Sequence, residues 1–285
     1  MGPLFSTGAL LADIQSLVRP ASGGVTAFLM IALLLSGGCF STKSTEDFLV
    51  RSVTVGEHRY AYRVWLPPHY TKLRIWPVVL YLHGSDERGD DNVRPLTAGL
   101  PAALEEYGRR FHSIVVIPQC REGSEWYGEM EQQALDALDA SIREFRGDPK
   151  RVILTGVSMG GAGAWYMARH QGRFAAVAPI SGEVVRQTDD PFPEELPEDL
   201  ARILHAPDPY AALAAAIGHT PVWAFHGELD PIIPATESRR MVEELRAAGD
   251  EVLYTEYPGG GHDAWDDAYA DPQFVQWMLR MRTRP

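Results

Sequence analysis

Short apolar runs alternate with longer amphipathic patterns from residue 48 to the end of the chain. The apolar runs predict strands that are buried on both faces of a sheet. They lie at 76–82, 113–118, 152–155 and 174–180, and two further strands that continue the sheet are predicted at 220–226 and 251–257. Apolar residues at helical spacing predict helices over 101–107, 128–145, 235–248 and 271–281, with a further helix after residue 158. Because strands and helices alternate, the pattern predicts a mostly parallel, doubly wound α/β sheet.

The first two predicted strands differ from the others, because their apolar and polar residues alternate. They cover 48–55 and 58–66, and Gly56 and Glu57 between them favour a tight turn. Alternation with a period of two is typical of strands that have one face buried and one face in solvent. We therefore expect an N-terminal antiparallel hairpin at the edge of the sheet.

The segment 151–167 reads RVILTGVSMGGAGAWYM and contains the pattern G-x-S-x-G between a predicted strand and a predicted helix. A turn this tight leaves no room for side chains at Gly156 and Gly160, and it strains the backbone of the residue between them. In return, the hydroxyl of Ser158 stands clear of the sheet beside the start of a helix, where developing negative charge is stabilised. Strand, G-x-S-x-G and helix form the nucleophile elbow of α/β hydrolases. The alternative is an ordinary serine in a glycine-rich turn.

A serine nucleophile needs a histidine to take its proton and an acid to orient that histidine. In α/β hydrolases the chain order is serine, acid and histidine, each on a loop after a strand. Asp230 follows the strand at 220–226, and His262 follows three glycines after the last strand. We therefore predict Ser158, Asp230 and His262 as the catalytic residues. Glu228 is a rival acid, and His226 is interpreted as a structural histidine.

Two backbone N–H groups are needed to stabilise the oxyanion of a tetrahedral intermediate. One is predicted to belong to Met159, the residue after the nucleophile. The other is predicted to come from the loop after the strand at 76–82, with Ser85 or Gly84 as the donor. His83-Gly84 resembles the H-G motif that esterases carry at this position.

Several motifs together resemble those of bacterial α/β hydrolases described as predicted peptidases or carboxylesterases, which are related to feruloyl-esterase and polyhydroxybutyrate-depolymerase-like proteins. The matching motifs are Tyr81 to Gly84, Glu87 to Asn92, Ile117 to Cys120 with Trp126, Gly156 to Gly161, His226 to Pro231 and Gly261-His262. The resemblance implies an α/β-hydrolase fold and a serine hydrolase that acts on carboxylic esters. A peptidase of the same fold is the main alternative, and a non-catalytic envelope binding protein is a further one. The chain departs from the family at Asp86, where a small glycine is usual, and in the segment 183–218.

The segment 183–218 interrupts the alternation of strands and helices with prolines and acids, and it has only short helical patches such as 210–217. An insertion of this length in a compact domain is usually functional or disordered. We expect it to act as a short cap that overhangs Ser158. The candidate lining residues of an acyl or aryl pocket are Phe192, Leu196, Leu204 and Tyr210. The alternative is a solvated surface excursion.

Charge and cysteine content narrow the possible partners. The formal net charge is −12, which argues against nucleic acid or an anionic membrane surface as a partner. The chain has two cysteines, Cys39 and Cys120, which give neither a disulfide framework nor a metal-ligand cluster. No cofactor and no metal are predicted, and the expected partner is a small-molecule ester or a short peptide. Cys120 is expected to pack near a strand end.

The N-terminal region contains an apolar run at 25–35, VTAFLMIALLL, followed by Ser36-Gly37-Gly38 and Cys39. The run is shorter than the ~20 apolar residues that span a bilayer, and it suits the core of a signal peptide. The residues up to Cys39 resemble the lipobox of bacterial lipoproteins, which implies lipidation of Cys39. We therefore predict a signal at 1–39, a tether at 40–47 and a catalytic domain at 48–285, exported and held at the membrane only by the lipid. The alternatives are an ordinary signal peptide and a short membrane anchor.

Overall fold

The computed structural model describes residues 47–186, 192 and 194–283. Its strands are β1 Phe48–Val55, β2 His58–Trp65, β3 Trp76–Leu82, β4 Ile114–Pro118, β5 Gly147–Val157, β6 Ala176–Ile180, β7 Val222–Gly227 and β8 Val252–Tyr257. Its helices are α1 Gly99–Tyr107, α2 Glu129–Phe145, α3 Met159–Met167, α4 Glu198–Leu204, α5 Pro209–Ile217, α6 Thr236–Ala247, α7 Trp265–Ala270 and α8 Pro272–Arg280. The predicted signal, Cys39 and nearly all of the predicted tether lie outside these residues.

Within the described residues, eight strands form one sheet in the order β1-β2-β4-β3-β5-β6-β7-β8. The pairs β1–β2 and β2–β4 are antiparallel, and every other neighbouring pair is parallel. The prediction of a mostly parallel sheet with an N-terminal antiparallel hairpin at its edge is therefore confirmed.

Alternate residues of β3 enter two separate hydrophobic cores. Val78 and Leu80 belong to a core that includes apolar residues of α2, α3, α5 and α6. Val79 and Tyr81 belong to a second core with α1, α7 and α8. Since neighbouring side chains of a strand point to opposite faces, the helices cover both faces of the sheet. This is the doubly wound arrangement that the sequence predicted.

The parallel strands place their carboxyl ends along one edge of the sheet, where ligands bind in open α/β sheets. The loop that begins at His83 follows β3, Ser158 follows β5, and Asp230 and His262 follow β7 and β8. Residues far apart in the chain are thereby brought to one place.

Two short helices, α4 and α7, were not predicted, because each is too short to show a helical period of its own. In the part of the chain that the structure describes, no helix combines the length and the apolar character needed to cross a bilayer.

Candidate active site

Ser158 lies between β5 and α3 with φ of 54°, a conformation that L-residues rarely adopt. A Cβ atom on Gly156 would lie 2.2 Å from the carbonyl oxygen of Gly160, and one on Gly160 would lie 2.0 Å from that of Leu82. Both glycines are therefore required by close backbone approach. Strain of this kind costs on the order of 1–3 kcal/mol and persists where the surrounding structure holds it.

The side chains of Ser158, His262 and Asp230 form one hydrogen-bonded chain. The Nε2 atom of His262 is 2.8 Å from the Ser158 Oγ, and its Nδ1 is 2.7 Å from the Asp230 Oδ2. The other oxygen of Asp230 accepts the N–H groups of Ile232 and Ile233, each at 2.9 Å. An ionised Asp230 accepts the Nδ1–H of His262, which leaves the Nε2 lone pair for the serine hydroxyl.

Neither rival group occupies the position of Asp230 or His262. Glu228 is exposed, and its Oε2 accepts the N–H of Gly259 at 2.9 Å. His226 is buried, with Nδ1 2.7 Å from the Ser238 hydroxyl and Nε2 2.9 Å from the Ile233 carbonyl. Burial is the main reason that the pKa of His226 is lowered. His226 therefore fits a neutral, structural histidine.

The loop after β3 lies directly against the nucleophile. A Cβ atom on Gly84 would be 3.6 Å from the Ser158 Cβ and 3.1 Å from an oxygen of Glu87. The pKa of Glu87 is raised by burial and by Asp86, and the N–H groups of Gly84 and of Glu87 itself offset this only in part. Gly84 and Ser85, the two predicted candidates for the second oxyanion donor, both line the space beside Ser158. Met159, the other predicted donor, is the first residue of α3.

His83 fixes this loop in place, a role that the sequence motif did not reveal. Its Nε2 accepts the Cys120 N–H at 3.0 Å, so its Nδ1–H donates to the carbonyl of Gly84 at 2.6 Å. Burial lowers its pKa to about 4, which keeps the ring neutral and this tautomer in place. Trp126 donates its indole N–H to the His83 carbonyl at 3.0 Å. These contacts tie the predicted oxyanion loop to the end of β4.

A cavity of about 150 Å³ opens beside Ser158. It lies between the loop after β3 and the residues around Asp230 and His262. Its lining consists of Gly84, Ser85, Asp86, Glu87, Ala98, Val157, Ser158, Ile232, His262 and Trp265. A compact space whose lining includes two acidic residues therefore lies beside the reactive hydroxyl.

The expectation that 183–218 lines this cavity is wrong for its named residues. Phe192, Leu196 and Leu204 pack against the core that contains α2, α3, α5 and α6, and Tyr210 is buried in it. The hydroxyl of Tyr210 donates to Glu237 at 2.6 Å. Leu200 of α4 is fully buried, so this part of the segment is not a solvated excursion either. The described part of the segment therefore covers the core beside α3 and α6.

Cys120 is buried, and burial raises the pKa of its thiol to about 12. This agrees with the packing role expected for it. No group of three or more His, Cys, Asp or Glu side chains in the described part of the chain is arranged to hold a metal ion.

Comparisons with known proteins give both a family and a fold. Residues 121–270 match the model of the dienelactone hydrolase family. Acyl-protein thioesterase 1 of Gibberella zeae is 47% identical over 66 residues, which cover 23% of this chain and 27% of that protein. A thermostable esterase superposes with a TM-score of 0.67 at 26% identity, over 83% of this chain and 63% of that chain. A ferulic acid esterase gives a TM-score of 0.62 at 19% identity, over 82% of this chain and 98% of that chain. The fold is the α/β-hydrolase fold, as the sequence predicted.

Proposed function

Since the chain belongs to the dienelactone hydrolase family, we propose that this hydrolase cleaves carboxylic esters through Ser158, His262 and Asp230. The observation that carries the proposal is the continuous hydrogen-bonded chain from the Ser158 hydroxyl to the buried Asp230 carboxylate, at the mouth of a cavity. This arrangement matches the nucleophile, base and orienting acid that acyl transfer requires.

Acylation starts when the Ser158 Oγ attacks the ester carbonyl carbon while His262 Nε2 takes the hydroxyl proton. The carbonyl oxygen becomes an oxyanion, which the N–H groups of Met159 and of Ser85 or Gly84 stabilise. His262 then gives its proton to the leaving alcohol as the C–O bond breaks. The product of this step is an acyl group on Ser158.

Deacylation repeats these steps with water as the nucleophile. His262 takes a proton from the water as its oxygen attacks the acyl carbon, and the carboxylic acid leaves as Ser158 regains its proton. In both steps the imidazole becomes positively charged, and the buried carboxylate of Asp230 at 2.7 Å stabilises that charge.

The main alternative is a serine peptidase, because the same groups would also attack an amide carbonyl. An amine is a poorer leaving group than an alcohol and depends more on protonation by His262. A non-catalytic binding protein of this fold would have no need for the complete hydrogen-bonded chain.

The test is a panel of short acyl esters, feruloyl esters and short peptides, assayed with the purified wild-type protein and with Ser158→Ala and His262→Ala. We expect ester hydrolysis by wild type and its loss in both variants, with unchanged thermal stability. Cleavage of peptides without hydrolysis of esters would support the serine peptidase instead. Equal ester hydrolysis by wild type and Ser158→Ala would refute it.

We also propose that the protein is exported and anchored by a lipid on Cys39, on the sequence pattern alone. Several acyl chains anchor a protein stably, whereas one chain binds only marginally. Cys39→Ser should therefore move the protein from the membrane fraction to the soluble fraction. A wild-type protein that is soluble, with a mature N-terminus other than Cys39, would contradict this.

A further inference from the structure

The cavity beside Ser158 has an unusual balance of charge. Its lining residues include the acids Asp86 and Glu87, and none of its described lining residues is a Lys or an Arg. Glu87 is half-buried, and its raised pKa reflects burial and the neighbouring Asp86 rather than a stabilising cation. The cavity therefore offers negative charge that a bound group can neutralise.

The nearest arginines along the chain are engaged elsewhere. Arg88 donates to the carbonyl of Ser124 at 2.6 Å and lies 3.9 Å from the carboxylate of Glu125. Arg94 pairs with Asp91 at 3.3 Å and donates to the carbonyl of Arg88 at 2.9 Å. Both guanidinium groups thus make contacts away from the carboxylate of Glu87.

The opposite wall of the cavity adds an aromatic residue, Trp265. The ring of Trp265 lines the cavity, with its centroid 5.3 Å from that of His262. The pKa of Asp266, the next residue, is raised by burial and by Asp263 and Asp267. Helix α7 itself contains Asp266 and Asp267 and no Lys or Arg. An aromatic face together with carboxylates is the chemistry that recognises ammonium groups in proteins.

We infer that this cavity selects esters that carry a compact ammonium group, with Glu87 as the counter-charge and Trp265 as the aromatic wall, and that it disfavours anionic esters. The inference rests on the proposed ester hydrolysis and names its substrate class. A volume of about 150 Å³ suits a compact group rather than a long acyl chain or a large aromatic one. Because the cavity adjoins the Ser158 hydroxyl, it could hold either the acyl or the alcohol side of the ester.

The test measures kcat/KM of the full chain on two series of nearly isosteric esters. The alcohol series compares choline acetate with neutral 3,3-dimethylbutyl acetate and with a carboxylate analogue of similar length. The acyl series compares p-nitrophenyl esters of trimethylammonioacetate, 3,3-dimethylbutyrate and a dicarboxylic half-acid. The quantity compared is the ratio of kcat/KM for the cationic ester to kcat/KM for the neutral ester in each series. Because this ratio is compared between wild type and variants, differences in the intrinsic reactivity of the esters cancel.

In one of the two series, Glu87→Gln should lower the cationic-to-neutral ratio of kcat/KM about fivefold, as expected for loss of a partly exposed charge pair. It should raise the anionic-to-neutral ratio of kcat/KM by a similar factor. Asp86→Asn, at an exposed position, should act in the same direction but less strongly, and it remains available if Glu87→Gln does not fold. Glu105→Gln removes the same charge from an exposed position on α1 and should leave both ratios unchanged. Added salt should reduce the wild-type preference.

An oxygen of the Glu87 carboxylate lies close to Gly84, so a purely structural role must be distinguished. If Glu87 only anchors the loop, Glu87→Gln lowers kcat for all esters alike, leaves the ratios unchanged and overturns the inference. Unchanged ratios in both Glu87→Gln and Asp86→Asn, with neutral esters still hydrolysed through Ser158, would overturn the inference while leaving the proposed function intact. No Ser158-dependent hydrolysis of any ester would overturn both.

Discussion

Replacement of Asp230 by Asn tests the role of the buried acid with almost no change in side-chain shape. The Asp230 Oδ1 accepts two backbone N–H groups, from Ile232 and Ile233, so the carbonyl oxygen of an asparagine would occupy that position. Its NH₂ group would then face the Nδ1 of His262, at a place where the wild-type distance is 2.7 Å. The NH₂ group donates, so Nδ1 must become an acceptor and the ring proton must move to Nε2.

A proton on Nε2 removes the lone pair that accepts the hydrogen of Ser158. The substitution therefore disables the base while the three side chains stay in place. Reversal of the tautomer in triads of this kind costs about 10⁴ in kcat, which corresponds to about 5.4 kcal/mol in activation free energy. We expect a loss of this order in Asp230→Asn.

The assay is steady-state hydrolysis of a short-chain p-nitrophenyl ester, with thermal denaturation to show that the variant is folded. Glu228→Gln is the matched control, because it makes the same chemical change two residues away at an exposed position. Its Oε1 can still accept the N–H of Gly259, so kcat should change little. The tautomer argument is wrong if Asp230→Asn keeps more than about a tenth of the wild-type kcat. It is also wrong if Glu228→Gln loses more of its kcat than Asp230→Asn does.

Three further predictions concern stability. Gly160→Ala should lower the free energy of unfolding by more than about 3 kcal/mol and abolish fluorophosphonate labelling, because its Cβ would lie 2.0 Å from the Leu82 carbonyl oxygen. The control is Gly172→Ala, where a Cβ meets no atom within 4 Å. It should lower the free energy of unfolding, measured by chemical denaturation, by only about 1 kcal/mol. Leu200→Ala should cost about 2–5 kcal/mol, since the side chain is fully buried, yet leave kcat/KM unchanged; a selective loss of kcat/KM would place α4 at the site after all. Glu87→Gln should raise Tm at about pH 8, because a carboxyl whose pKa is raised in the folded state destabilises that state when it is ionised. The gain in Tm should shrink towards about pH 4.5, where the carboxyl of the wild-type protein becomes protonated. A gain in Tm that grows on acidification would contradict this prediction.

The strands were predictable because each buried parallel strand is a continuous apolar run. Trp76–Leu82, which is buried throughout, begins and ends at its predicted bounds. Val252–Tyr257 is a partly buried edge strand that includes Thr255 and Glu256, and it begins one residue after its predicted start. The start of β5 was not predictable in this way, because Gly147–Val157 opens with the polar segment Gly147 to Arg151. Its glycine lies against β3, where a Cβ would approach Val78 to 2.4 Å. Such a contact depends on the neighbouring strand and leaves no local pattern.

The positions of Ser158, Asp230 and His262 at three strand ends follow from the order of motifs, and the structure brings these three side chains together. The surroundings of the cavity do not follow from local pattern. Glu87 belongs to a motif by sequence, but its partial burial and the approach of its carboxylate to Gly84 depend on how the loop folds back.

The location of 183–218 also escaped prediction, because proline and acid content does not say which face an insertion covers. Leu200 is buried against the core, and Asp199 pairs with Arg169 at 2.7 Å. Arg169 is itself buried and binds Glu131 of α2 at 3.0 Å. These long-range contacts hold α4 on the body of the protein.

The central claim is that Ser158 becomes covalently acylated, and the most direct measurement is mass spectrometry of the protein after treatment with a fluorophosphonate. The account predicts one adduct per chain, mapped by peptide sequencing to Ser158, and no adduct in Ser158→Ala or after prior heat denaturation. An adduct on another residue, or equal labelling of wild type and Ser158→Ala, would contradict it.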